Sequence, residues 1–123
     1  MSLVGTWENE FGSIMRIEHV NEDGTFTATY SSHTGATGVY RVMGIADPDP
    51  VGGSQTVAFA VSWHSLEGKP DPSWHWVSGF AGQLQTIDGQ EILSTTYLLQ
   101  KNTEPQDNWG STIVATAKFV KQR

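Results

Sequence analysis

Apolar and polar residues alternate with a period of two along nearly the whole chain, which is the pattern of β-strands with one buried face. In TFTATYSS, for example, one face carries Phe26, Ala28, Tyr30 and Ser32, whereas the other carries only threonine and serine. No window favours a helix of normal length. The alternation predicts eight strands, at about 4–9, 12–20, 25–32, 39–46, 55–63, 75–84, 91–100 and 111–120.

Turn signals separate these strands at fairly even intervals. NEDG at 21–24 and IDGQ at 87–90 predict tight hairpins, because Asp-Gly supplies the positive φ values that such turns need. Breaker-rich or polar segments predict loops at 33–38, 47–54, 64–73 and 101–108. The spacing is typical of an up-and-down barrel or a sandwich. A closed barrel of eight strands removes edge strands and can enclose one small ligand.

Length and composition indicate a single all-β domain over residues 1–123. The chain is rich in glycine and tryptophan, with 13 and 5 residues, and it has no cysteine, which excludes disulfides and thiolate metal sites. Within this range, residues 1–3 (MSL) are a candidate remnant of cloning and carry no weight in the fold prediction.

Charge and hydropathy exclude several classes of partner. The net charge of -6, without a Lys/Arg cluster, argues against nucleic acid. No apolar run approaches the roughly 18 residues of a membrane span, and MSLVG lacks the basic and apolar regions of a signal peptide.

Polar and aromatic residues recur together near one end of the expected barrel. Taken singly, an inward aromatic residue is usually core, and a serine or asparagine near a turn usually caps it. Their repetition on several strands favours a small-molecule pocket, which is mostly apolar with a few fixed polar groups. The set comprises Trp7, Asn9, Ser13, Phe26, Ala28, Tyr30, Ser32, Trp63, Tyr97 and Leu99.

The sequence shows no pattern of a catalytic or metal site. No nucleophile is paired with a base and a third supporting residue. The histidines at 19, 33, 64 and 75 are scattered and lack metal-ligand spacing, so we interpret each as a surface or turn residue. We therefore predict a protein that is not an enzyme and holds no metal or cofactor.

Six motifs follow one another in order over essentially the whole chain. They are GTWENEFGS at 5–13, GTFTATYSS at 24–32, VAFAVSW at 57–63, FAGQ at 80–83, YLL at 97–99 and TEPQDNWGSTIV at 103–114. A GTW start alone would be weak, because lipocalins share a G-x-W start. The ordered set resembles the avidin/streptavidin family of biotin-binding proteins. This resemblance implies an eight-stranded antiparallel up-and-down β-barrel that binds biotin without catalysis.

The resemblance also implies roles for the polar residues. Asn9, Ser13 and Tyr30 match the residues that donate hydrogen bonds to the ureido oxygen of biotin. Ser32 matches the residue that bonds one ureido N–H, and Ser78 matches a hydroxyl near the sulfur and the tail.

Other matches concern the walls of the pocket. The aromatic box around the bicyclic ring is matched by Trp63, Phe80 and Tyr97. Leu99 matches a further wall residue. Phe11, from the motif at 5–13, is also counted among the biotin-binding residues.

The resemblance further implies a lid and an assembly. Residues 33–38 match a lid whose backbone N–H groups meet the ligand's carboxylate. Trp109 matches a tryptophan that one subunit lends to its neighbour's pocket, which suggests a homotetramer built as a dimer of dimers, or a dimer. The family suggests a secreted or periplasmic protein.

Three features depart from the family pattern. Ala117 stands where the last strand usually carries an inward Asp or Asn, so one ureido N–H loses its partner. Tyr97 replaces the usual tryptophan, and the loop at 64–75 is longer than expected. The register of the sixth strand is open. In one register Ser78 and Phe80 face the pocket. In a slipped register their place is taken by His75 and Val77, or by Trp76.

These departures leave other functions open. The same barrel would bind another cyclic urea, an amide or a peptide, or it would serve as a structural oligomerisation module. Retention of the three donors argues against a collapsed interior, which would gain from apolar replacements. A lipocalin-like carrier normally has a C-terminal helix, whereas residues 111–123 have strand character.

Overall fold

The computed structural model describes residues 1–32, 38–66 and 74–123. Its strands are β1 (Gly5–Asn9), β2 (Ile14–Val20), β3 (Thr25–Ser31), β4 (Val39–Ala46), β5 (Ser54–Ser65), β6 (Val77–Ile87), β7 (Gln90–Gln100) and β8 (Thr112–Lys121). Each strand pairs antiparallel with the next, and β1 also pairs with β8. The predicted eight-stranded up-and-down barrel is therefore confirmed, and the sandwich alternative is wrong.

The strand boundaries differ from the prediction mainly around β5 and β6. β5 continues to Ser65, and β6 begins at Val77 and extends to Ile87. The predicted loop at 101–108 contains the start of a 3-10 helix, η1 (Pro105–Gly110). Proline suits the first turn of a helix, because its fixed φ is helical and its missing N–H has no partner there. The predicted loops at 33–38 and 64–73 fall largely on 33–37 and 67–73, which lie outside the described residues.

Both predicted turns form, but in the 21–24 turn Gly24, with a φ of 91°, has a positive value and Asp23 does not, whereas both central residues of the 87–90 turn do. Asp88 and Gly89 take φ values of 52° and 78°, and Ile87 pairs with Gln90 across this two-residue turn. In the 21–24 turn, the N–H of Gly24 donates to the carbonyl oxygen of Asn21 at 2.9 Å.

The core fills one end of the barrel and leaves the other end for a site. Trp7 is fully buried and donates its indole N–H to the carbonyl oxygen of Leu3 at 2.8 Å, so the segment before β1 closes that end. Near this end and the middle of the barrel, the buried residues include Met15, Ile17, Phe26, Leu84, Leu93 and Phe119. At the opposite mouth of the barrel, strands β1, β3, β5 and β7 end and strands β2, β4, β6 and β8 begin.

The described residues contain neither a membrane-spanning helix nor a cluster of metal ligands. None of the described helical segments is long and apolar enough to cross a membrane. No group of three or more His, Cys, Asp or Glu side chains within 1–32, 38–66 and 74–123 is arranged to hold a metal ion.

Candidate functional site

A cavity of about 410 Å³ opens at the end of the barrel that the core leaves free. Its volume lies within the range of about 300–1,000 Å³ that is usual for small-molecule sites. The lining residues are Asn9, Phe11, Ser13, Tyr30, Trp63, Trp74, Trp76, Ser78, Phe80, Tyr97, Leu99 and Ala117. The cavity thus brings together nine of the residues that the resemblance assigns to a site, although they come from five separate stretches of the chain.

Asn9 is held in one orientation by the turn that follows β1. Its Oδ1 accepts hydrogen bonds from the backbone N–H groups of Phe11 and Ser13, both at 3.0 Å. Its Nδ2 donates to the Tyr30 hydroxyl at 3.1 Å. Because an amide nitrogen carries two hydrogens, this orientation leaves Nδ2 able to make one more hydrogen bond at the cavity wall.

Hydroxyl groups from three further residues surround Asn9. The Ser13 hydroxyl lies 3.4 Å from the Ser32 hydroxyl, and it also interacts with the Tyr30 hydroxyl. All four side chains are buried. Ser32 does not line the cavity itself, but it adjoins Ser13 at the edge of the polar group. We call Asn9, Ser13, Tyr30 and Ser32 the polar cluster.

Burial controls the ionisation of the polar cluster. It raises the pKa of the Tyr30 hydroxyl above its ordinary value of 10.0, and hydrogen bonds with Ser13 and Asn9 oppose this shift. Tyr30 is therefore neutral at physiological pH and retains a proton to donate. The cluster consists of neutral donors and acceptors around one small volume.

Aromatic rings form the walls beside the polar cluster. Trp63 packs edge-on against Tyr30 with ring centroids 5.4 Å apart, and Phe80 stacks on Tyr97 at 4.8 Å. The indole N–H of Trp63 donates to the Ser78 hydroxyl at 2.9 Å, which satisfies both groups in a mostly apolar wall.

The register of β6 distinguishes the two arrangements considered from the sequence. Ser78 and Phe80 are buried and line the cavity, whereas Val77 is 52% exposed and His75 is exposed. The alternative with His75 and Val77 facing inward is therefore wrong. Trp76 lines the cavity together with Ser78 and Phe80 and does not replace them. All three share one face because they are spaced two residues apart.

Trp74 is the lining residue that sequence reasoning missed. Its backbone N–H donates to the carbonyl oxygen of Trp63 at 2.8 Å, and the N–H of Trp63 donates to the carbonyl oxygen of Trp76 at 3.1 Å. These bonds extend the β5–β6 pairing to the cavity mouth. The signal was present in WHWVSGF, where the period of two puts residues 74, 76, 78 and 80 on one face.

Ala117 lines the cavity and is 2% exposed, whereas its neighbours Thr116 and Lys118 are exposed. The last strand thus presents a methyl group to the cavity at residue 117, the position for which the resemblance implied an Asp or Asn. Among the described lining residues, none carries a carboxylate.

Trp109 lies outside the cavity of its own chain. It belongs to η1, and its side chain is 88% exposed. An exposed tryptophan is available to another molecule, but its transfer to a neighbouring subunit stays a prediction.

A closed antiparallel barrel with a mostly aromatic cavity and a few buried hydrogen-bonding groups defines a class: β-barrel proteins built to hold one small ligand. Comparison with known proteins narrows this class. The sequence profile described as "Avidin family" matches residues 1–122, so the chain belongs to the avidin family.

Individual relatives agree with this assignment. Avidin-related protein 1 of Gallus gallus is 33% identical over 131 residues, covering 99% of this chain and 79% of the relative. Avidin of Gallus gallus is 32% identical over 134 residues, with the same coverage of 99% and 79%.

Solved structures show the same fold. The structure named AVR2 superposes with a TM-score of 0.83 at 30% identity, covering 99% of this chain and 96% of that one. A crystal structure of Xenavidin gives a TM-score of 0.83 at 28% identity, covering 98% and 97%.

Proposed function

We propose that this protein binds biotin, without catalysis, in the cavity at the open end of the barrel. The observation that carries the proposal is the convergence of Asn9, Ser13 and Tyr30 in one buried cluster of an avidin-family barrel. Biotin combines a polar cyclic urea, an apolar sulfur ring and a flexible tail that ends in a carboxylate. A pocket with a polar end and aromatic walls suits this combination.

The polar cluster supports recognition of the ureido oxygen. A carbonyl oxygen placed between these side chains would accept hydrogen bonds from the Asn9 amide, the Ser13 hydroxyl and the Tyr30 hydroxyl. Three donors at one oxygen favour the polarised form of the urea, in which the oxygen is partly anionic, and hydrogen bonds to charged groups are the stronger kind. Exclusion of water strengthens them further.

Neighbouring groups suit the rest of the ring system. Ser32, beside Ser13, would accept a hydrogen bond from one ureido N–H. Trp63, Phe80 and Tyr97 would pack on the bicyclic ring, since they already form a connected aromatic wall.

Ala117 predicts a weaker affinity than a complete set of hydrogen-bonding partners would give. A methyl group cannot accept a hydrogen bond from the second ureido N–H, and an unpaired donor in a closed pocket costs about 1–3 kcal/mol. This cost corresponds to about one to two decades of dissociation constant.

The outer surface supports assembly of several copies. Met43, Ile45 and Leu98 are 60%, 53% and 51% exposed and surround a shallow groove across β4–β7. Exposed apolar patches of this kind mark interaction sites. We propose a homotetramer, with Trp109 of each subunit reaching a neighbouring cavity, and a secreted or periplasmic location.

A second candidate ligand is favoured by two observations. Ala117 removes a polar partner, and Trp74 and Trp76 narrow the mouth with aromatic surface. Both features suit a different cyclic urea or amide, or a peptide side chain, with fewer polar groups than biotin.

Calorimetric titration with biotin, accompanied by thermal melts, tests the proposal. We expect saturable binding near one ligand per chain and a rise in Tm, because a ligand that binds only the folded state stabilises it. Pentanoic acid, which has the tail without the rings, is the matched control and should give no saturable binding. Absence of heat and of any shift in Tm at millimolar biotin would exclude biotin and direct the search to the second candidate.

A further inference from the structure

The mouth of the cavity carries an aromatic surface beyond the predicted pocket. The ring centroids of Trp74 and Trp76 lie 4.9 Å apart, at an interplanar angle of 34°. Trp76 is half-buried, and Trp74 is 42% exposed. Hydrogen bonds to the Trp63 backbone anchor both residues, so this surface continues the Trp63 wall outward.

A cation lies against this surface. The Nζ atom of Lys101 is 5.6 Å from the ring centroid of Trp76, within the range of a cation–π interaction. Lys101 directly follows β7, and the N–H of its backbone donates to the carbonyl oxygen of Ser111 at 2.7 Å. In the period of two it falls on the same face as Leu99, which lines the cavity.

The Lys101 ammonium group has capacity to bind an anion. Within the described ranges, no carboxylate forms an ion pair with the Lys101 ammonium group. The ion pair in those ranges joins Lys121 to Glu91, at the closed end of the barrel. Of the described cations, Lys101 is the one stacked on an aromatic residue of the cavity. Since the chain carries a net charge of -6, an anionic ligand approaching this mouth benefits from a local positive charge.

We propose that Trp74, Trp76 and Lys101 form an outer subsite for the acidic tail of the ligand. The two indole rings pack on the methylene groups of the tail, and the Lys101 ammonium pairs with its terminal carboxylate. The inference rests on the proposed function and adds to it a preference for the free acid over neutral derivatives. It is separate from the predicted lid at 33–38, most of which lies outside the described residues.

The test compares biotin with biotinamide, which has the same rings and tail but no charge. Both compounds are titrated at low ionic strength into the wild-type protein, Lys101→Gln and Lys118→Gln. Lys118 is exposed, so its variant changes the net charge equally without changing the mouth. We expect Lys101→Gln to bind biotin about 3- to 10-fold more weakly and biotinamide with unchanged affinity. Lys118→Gln should match the wild type for both compounds.

Trp76→Ala tests the aromatic part. We expect it to weaken both compounds by a similar factor of about 10, because it removes apolar contact with the tail. Thermal melts of each variant show that it is folded, and Trp76→Phe, which keeps a ring, should recover most of the affinity.

The possible failures are distinguishable. If Lys101→Gln keeps the wild-type ratio of acid to amide affinity, the subsite is wrong and biotin binding stands. If Trp76→Ala binds both compounds as the wild type does, the tryptophans are not part of a subsite. A wild-type protein that binds neither compound overturns the proposed function and this subsite together.

Discussion

At the scale of single residues, the site depends on how a few polar side chains are oriented. Asn9 is the clearest case, because its Oδ1 is occupied by two backbone N–H groups of the turn and only Nδ2 can face the ligand. Replacing Asn9 would therefore loosen the turn as well as remove a donor. Ser13 separates these effects better, since its hydroxyl interacts with Ser32 and Tyr30 of the polar cluster and does not hold the turn.

Ser13→Ala should weaken biotin binding by about 1–3 kcal/mol, because it removes one donor to the ureido oxygen and leaves the fold intact. Isothermal titration measures the change in affinity. Ser94→Ala, at an exposed position on the outside of β7, is the matched control and should bind as the wild type does. Equal affinities for the two variants would mean that Ser13 does not meet the ligand.

Ala117→Asp should tighten biotin binding, because a carboxylate at this position would accept the second ureido N–H. The expected gain is up to about 1–3 kcal/mol, reduced by the cost of burying a charge at a position that is 2% exposed. Ala115→Asp, at a half-buried position two residues earlier that does not line the cavity, serves as the comparison. A gain in Ala115→Asp alone would show that the ring lies elsewhere.

The raised pKa of Tyr30 predicts an alkaline loss of stability. Because the folded state holds the Tyr30 proton more tightly than the unfolded chain, this contribution is fully present below pH 10 and is lost as the pH rises through the folded-state value. Melts between pH 8 and pH 11 should show a smaller decline in Tyr30→Phe than in the wild type. An equal decline in Tyr30→Phe and in the wild type would contradict the prediction.

At the scale of elements, strands and turns determine which side chains reach the cavity. A strand with a period of two delivers every second residue, and β6 therefore contributes Ser78 and Phe80 while Val77 faces outward. Hairpin turns fix this register, because a slip of one residue would reverse the two faces.

Gly89→Ala tests the contribution of one turn. Gly89 has a φ of +78° with open space around the position of a Cβ, so the cost of a methyl group is conformational and not a clash. We expect a loss of about 1 kcal/mol in the free energy of unfolding. Gly53→Ala is the control, since this glycine also has open space but no positive φ. Chemical denaturation measures the free energy of unfolding of both variants. If Gly89→Ala is as stable as Gly53→Ala, the turn geometry is contradicted.

At the scale of the whole molecule, pairing of β1 with β8 closes the barrel, so none of the eight described strands is left as an edge for aggregation and the outer faces are available for association through side chains. The exposed apolar residues on β4 and β7 supply such a face. The aromatic mouth and the exposed Trp109 lie at the same end of the barrel as the cavity, since η1 connects β7 to β8 there.

Met43→Glu should weaken the proposed assembly, because it places a charge in the apolar groove where copies would meet. Light scattering of the wild type should give a mass near four times the chain mass of 13.5 kDa, and the variant should give a smaller one at low concentration. Glu18→Lys, an exposed change on β2, should keep the wild-type mass. A wild-type mass of one chain would contradict the tetramer.

The sequence by itself determined the local elements and most of the candidate site. Alternation and the Asp-Gly turns predict all eight strands, because side-chain direction in a strand follows from its backbone geometry alone. The family motifs selected Asn9, Ser13 and Tyr30, which the structure brings together.

The strand pattern left closure of the barrel open, and only the family resemblance implied it, whereas the residues of the mouth were decided by tertiary structure. The β1–β8 pairing joins residues more than 100 positions apart, and a period of two is the same in a barrel and in a sandwich. Trp74 and Lys101 enter the site only because pairing of β5 and β7 with β6 places Trp63, Trp76 and Lys101 at one rim. Local pattern specifies which face a side chain takes, whereas its neighbours depend on long-range pairing that no short window contains.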